Sequence, residues 1–106
     1  MPNLTLYIAA QHMPSAEKLA LLSRACVELC TGVLQAACGK VHVMYVGVRT
    51  GYGHPVFAEL LYRSDACRTT AVMQAFMEGL DSAIVRHTGL TARIRCFASH
   101  AIDARN

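Results

Sequence analysis

The residue pattern predicts an α/β (α+β) fold in which two β-α-β units, about residues 2–50 and 55–99, build one four-stranded mixed sheet with both helices on one face. Three observations point to it. Two long stretches carry apolar residues at helical spacing, each is flanked by short β-branched or aromatic runs, and the order strand, helix, strand occurs twice with similar lengths. At 106 residues the chain makes a single domain with one core.

The first strand is read from MPNLTLYI, which opens on a proline that cannot donate a ladder hydrogen bond. Pro2 has two readings: it marks the edge of a strand, or, once Met1 is removed, it carries a free secondary amine. In the next stretch Leu19, Leu22, Cys26, Leu29, Cys30, Val33 and Leu34 form a helical stripe. Ser15 caps its start with Glu17 in the first turn, and Gly39 is expected to supply a left-handed end. VHVMYVGVR reads as the second strand, and TGYGHP as a turn punctuated by two glycines and a proline. VFAELLYR then reads as the third strand. The second helix carries Val72, Met73, Phe76, Met77, Leu80 and Ile84 and ends at Gly89, before TARIRCFAS as the fourth strand. The tail from His100 onward shows no committed pattern.

Composition adds a second expectation. Apolar residues make up 54% of the chain and charged ones only 16%, against about 25% in ordinary soluble domains. A monomer of this size cannot hide so much apolar surface, so the bare face of the sheet is expected to be covered by further copies.

The five cysteines, Cys26, Cys30, Cys38, Cys67 and Cys96, include no C-x-x-C pair and read as small hydrophobes of a reducing compartment. Cys26 and Cys30 lie one helical turn apart, but no histidine or third thiol stands near them, so a soft-metal site has little support. His12, His42, His54, His87 and His100 are dispersed, and no metal or cofactor is expected. No phosphate loop or G-x-S-x-G elbow occurs, and GVRTGYG precedes a strand rather than a helix. No leader or membrane-length apolar run is visible, which suggests a cytoplasmic protein without a membrane partner. Eight arginines against two lysines suit an anionic partner, yet their scatter argues against nucleic acid.

An initiator Met followed by Pro2, then a strand, a long helix and a second β-α-β unit, resembles the tautomerase superfamily. Within it, Lys40, Val41, His42, Gly53, His54, Phe57, Arg68 and Thr69 look most like the pattern of 5-carboxymethyl-2-hydroxymuconate isomerase. The resemblance implies the tautomerase/MIF-like fold, a homotrimer, no cofactor, and Pro2 as a catalytic base after Met1 removal. It also implies a small anionic substrate, a carboxylated enol or unsaturated keto acid whose double bond is moved. The same superfamily admits protonated Pro2 as an acid in hydration, dehalogenation or decarboxylation, and a non-catalytic trimeric binding module is the remaining alternative.

The chemistry has a physical basis. An α-amino group titrates near ~7.7–8.0, and both burial and neighbouring cations lower that value toward neutrality at pH 7. Candidates for holding the substrate are Lys40 and Arg49, which bracket the second strand, and Arg68, ahead of the second helix. Tyr7 and Phe57 are further candidates, Tyr7 as donor to an enol oxygen. Arg93 and Arg95 share a face of the last strand with Phe97, where outward exposure is expected, and Glu59 is a possible second acid that Arg63 could equally neutralise.

Overall fold

The computed structural model describes residues 1–100. The tail 101–106 lies outside them, and with it the expectation drawn for that segment. The elements are β1 (Asn3–Ala9), α1 (Ala16–Gly32), β2 (His42–Val48), β3 (Val56–Arg63), α2 (Thr70–Thr88) and β4 (Ala92–Ser99), with single 3-10 turns at Ala10–His12 and Cys38–Lys40. The sheet runs β2-β1-β3-β4. Each outer pair is parallel and the central β1–β3 pair antiparallel, so the sheet is mixed, as the strand-helix-strand order requires.

Strict alternation sorts each strand into two faces. Leu4, Leu6 and Ile8 of β1 and Val56, Ala58 and Leu60 of β3 are buried under the helices. Leu22, Cys26, Cys30 and Leu34 meet them from the first helical stripe, and Met73, Phe76, Leu80 and Ile84 from the second. Tyr45 of β2 anchors α1 with a half-buried polar contact: its hydroxyl lies 2.9 Å from Ser23 Oγ and donates to the Leu19 carbonyl at 3.3 Å. The helices approach closely where α2 carries Gly79, since a Cβ there would sit 2.6 Å from Leu29 Cδ2.

The start of α1 follows the expectation, Ser15 accepting from the Lys18 amide; at α2 Thr69 accepts from the Val72 amide in the same way. Gly89 ends α2 in the left-handed region, φ +72°. The end of α1 differs: the left-handed residue is Gln35, φ +56°, and Gly39 belongs to the following 3-10 turn. The Leu34 amide returns to Leu29 O and the Ala36 amide to Cys30 O, so the backbone closes the helix several residues before the glycine. Burial of Leu34 holds that turn against the core.

The other sheet face forms three rows across β2, β1, β3 and β4. They read His42–Asn3–Leu61–Phe97, Met44–Thr5–Glu59–Arg95 and Val46–Tyr7–Phe57–Arg93. Met44 is 63% exposed and Phe97 49%, large apolar groups left open in one chain. The two units also match at their starts, for Pro2 precedes β1 as Pro55 precedes β3. Each proline offers its carbonyl to a neighbouring strand, Pro2 O to the His42 amide at 3.0 Å and Pro55 O to the Ala9 amide at 2.8 Å.

Candidate active site

Pro2 lies in phase with Leu4 and Leu6, so its ring turns to the helix-covered side and is less than 2% exposed. The Asn3–Leu61 pair places Pro2 one step further on, beside Tyr62, and the bond to His42 sets the start of β2 on its other flank. The parallel β1–β2 register therefore brings Lys40, just ahead of β2, to the same end of the sheet.

Arg68 reaches this end from the turn before α2. Its Nε donates to Leu34 O at 3.2 Å and its Nη1 to Arg63 O at 2.8 Å, so the guanidinium is held between the α1 exit and the end of β3. The amine at Met1 is held below its ordinary 8.0, first by loss of solvent, then by the positive charges of Lys40 and of Arg68. With Met1 attached the Pro2 nitrogen is an amide without basicity.

The remaining candidates lie elsewhere in the chain. Arg49 follows β2 at its far end, about 26 Å from Pro2 along eight strand steps. Tyr7 and Phe57 are a cross-strand pair on the bare face, their rings stacked at 5.9 Å and 21°. Within one chain, then, Lys40 and Arg68 gather at Pro2, while Arg49, Tyr7 and Phe57 do not. Glu59 stands opposite Arg95 in the register rather than near Pro2.

Sequence reasoning did not single out Tyr62, and it expected Arg95 to be exposed, which it is. From the edge strand its Nη1 donates to Ile94 O at 2.8 Å, and the side chain lines a cleft beside α2 together with Tyr62 and Arg68. The available signal was the position of the last strand at a sheet edge, where a charged side chain covers unpaired backbone. Among the described residues no cluster of three or more His, Cys, Asp or Glu is arranged to hold a metal, and no helix is long and apolar enough to cross a membrane.

Neither a family model nor a curated protein sequence matches the chain. Solved structures do. N1, a member of the cis-3-chloroacrylic acid dehalogenase family, superposes with a TM-score of 0.82 at 15% identity, over 93% of this chain and 76% of its own. The R7 fused 4-OT, a wild-type asymmetric trimer, gives 0.77 at 17% identity, over 99% and 92%. Malonate semialdehyde decarboxylase gives 0.74 at 13% identity, over 98% and 89%. These neighbours are tautomerase-superfamily members, and the fold of this chain is the tautomerase/MIF fold.

Proposed function

We propose that the protein is an isomerase of the tautomerase kind, with the Pro2 amine as general base once Met1 has been removed. The observation that carries this reading is the convergence of Lys40 and Arg68 on the amino terminus at the end of β1, with burial and both charges favouring a neutral amine. A neutral Pro2 nitrogen takes a proton from a carbon or enol oxygen next to a carbonyl and returns it at another carbon, so the double bond moves and nothing is gained or lost. Lys40 and Arg68 hold the substrate carboxylate and the oxygen on which negative charge develops. The substrate class is a small carboxylated enol or unsaturated keto acid, of the type that 5-carboxymethyl-2-hydroxymuconate isomerase handles.

The exposed Met44, Val46, Leu61 and Phe97 of the bare face support assembly into a homotrimer, the state named for the R7 fused 4-OT. In such an assembly Arg49, Tyr7 and Phe57 act on substrate only from a neighbouring chain, because their own Pro2 is at the other end of β1.

The likeness to a dehalogenase family and to a decarboxylase favours a second reading, in which protonated Pro2 is a general acid toward a similar anionic substrate. The nearness of the Lys40 and Arg68 charges to the chain start supports the base over the acid. The test is Pro2→Ala in protein whose intact mass shows Met1 removed, assayed on a small 2-hydroxydienoate with the oligomer mass checked in parallel. A loss of roughly 10²-fold or more is expected. Unchanged turnover removes Pro2 from the mechanism, and Met1 retained on protein from its native cell favours a non-catalytic binding module.

A further inference from the structure

We infer that Tyr62 is a catalytic residue, its hydroxyl donating to the substrate oxygen that carries negative charge while the Pro2 amine moves the proton. The inference rests on the role proposed above for Pro2 and supplies the donor that role calls for. β3 turns Val56, Ala58 and Leu60 into the core, so Tyr62 falls in the same phase, on the helix-covered side. Pro2 has that phase on β1, and the antiparallel register, which pairs Asn3 with Leu61, sets Pro2 opposite Tyr62. Residues so placed hold their Cβ atoms about 5 Å apart on one face of a sheet. The phenol therefore starts beside the proline ring.

The chain's 4 tyrosines differ in surroundings. The Tyr45 hydroxyl is engaged by Ser23 and by the Leu19 carbonyl. Tyr7 stacks on Phe57 on the bare side of the sheet, and Tyr52 stands fully exposed in the turn between β2 and β3, at the end away from Pro2. Tyr62 instead has a half-buried ring packed on the core, in the wall of an open cleft of about 460 Å³ beside Met73 and Met77. Among the described residues its hydroxyl has no protein partner, and it is not a buried orphan. Its proton is therefore available to whatever enters the cleft.

A base acting on an enol leaves a charge that needs a donor. With a 2-hydroxydienoate, the Pro2 nitrogen takes the enol proton and the negative charge rests on that oxygen. The electron pair then moves along the diene, a carbon takes the proton back from the Pro2 nitrogen, and the oxygen ends as a carbonyl. A hydrogen bond from Tyr62 is strongest while the oxygen is charged, so it lowers the barrier although the phenol keeps its proton. Arg68 already gives Nε and Nη1 to Leu34 O and Arg63 O, and Lys40 is exposed, which suits both cations to a carboxylate at the rim. Tyr62, set among apolar side chains, adds a donor where water screens less.

The test is Tyr62→Phe, which keeps the ring and removes the hydroxyl, assayed on 2-hydroxypenta-2,4-dienoate with oligomer mass and urea midpoint checked. Turnover should fall roughly 10²-fold, the cost of losing one such donor, with KM changed by less than about threefold. An unchanged kcat, or a loss confined to KM, would overturn the inference. Pro2→Ala separates the two readings. If it is inactive while Tyr62→Phe turns over normally, only the role of Tyr62 falls; if it keeps full turnover, the base falls and Tyr62 with it. A second readout does not depend on how the variant folds: 3-fluorotyrosine placed at position 62 of the otherwise native chain should show a fluorine NMR shift when oxalate, an enolate mimic, is added. A resonance that oxalate leaves unmoved would also overturn the inference.

Discussion

The Nε of Arg68 donates to the carbonyl of Leu34, 34 positions earlier in the chain, at 3.2 Å. Leu34 lies just past α1, where helix carbonyls lack intrahelical partners, and the same guanidinium satisfies Arg63 O at the end of β3. One planar fork therefore ties the exit of the first helix to the end of the third strand.

Arg68→Lys keeps the charge but cannot reproduce the fork. Stability to urea should fall by about 1–2 kcal/mol, one or two hydrogen bonds' worth. Arg68→Met should lose a similar amount and also raise the pKa of the amine at the chain start, which Arg68→Lys should largely spare. Equal urea midpoints for wild type and both variants would contradict the tie.

Lys40 lowers the affinity of the amine for a proton. For a neutral base, turnover rises with pH through the pKa of the amine that acts. Lys40→Met removes a cation, so the rising limb should move to higher pH. Because Lys40 is exposed, added salt should shift the wild-type limb the same way and the variant's less. A limb unmoved by the substitution would remove Lys40 from the field acting on the amine.

Alkaline stability should report the buried thiols. Burial raises Cys26 from 9.0 to about 12 and Cys30 from 9.0 to about 11, and Tyr45 rises from 10.0 to about 12. A group raised in the folded state contributes its full stability below its unfolded pKa and loses it as pH climbs toward the folded value. The urea midpoint should hold below pH 9.0 and decline between there and about 11. Cys30→Ala should start lower, from lost packing, and decline less steeply; parallel slopes would refute the assignment.

Gly79 and Leu29 should be coupled. A Cβ at position 79 meets Leu29 Cδ2 at 2.6 Å, so the helix gain of about 1 kcal/mol from Gly79→Ala is opposed by displacement of the leucine. In a Leu29→Ala background the gain should appear. A double-mutant cycle should give a coupling of about 1 kcal/mol, and strict additivity would deny the contact.

Met44 and Phe97 are exposed at opposite edges of the bare face. Met44→Asp and Phe97→Asp should each lower the sedimentation mass from three chains toward one, with helical content kept. A trimer mass in both variants would place the interface elsewhere.

The fold was legible because its periods are clean. β1 alternates buried and half-buried positions almost throughout, and both helical stripes became the core. The end of α1 was not, since a glycine with no need for its freedom stood four residues past the residue that took the left-handed turn. At the site, Lys40 and Arg68 were readable as flanks of elements that end beside Pro2. That Arg49 and the Tyr7–Phe57 pair lie away from Pro2 within one chain was not legible, because their distance depends on strand register, which residue types alone do not disclose. Arg95 needed knowledge of which strand would be outermost.

The matching prolines at the two strand starts are alike in backbone setting and unlike in chemistry. Trimming can liberate the ring nitrogen of Pro2, whereas that of Pro55 stays locked in mid-chain between His54 and Val56. The duplicated architecture is thus reactive on one half only. Peptide mapping after an amine-directed affinity label should find the proline adduct on Pro2 and none on Pro55.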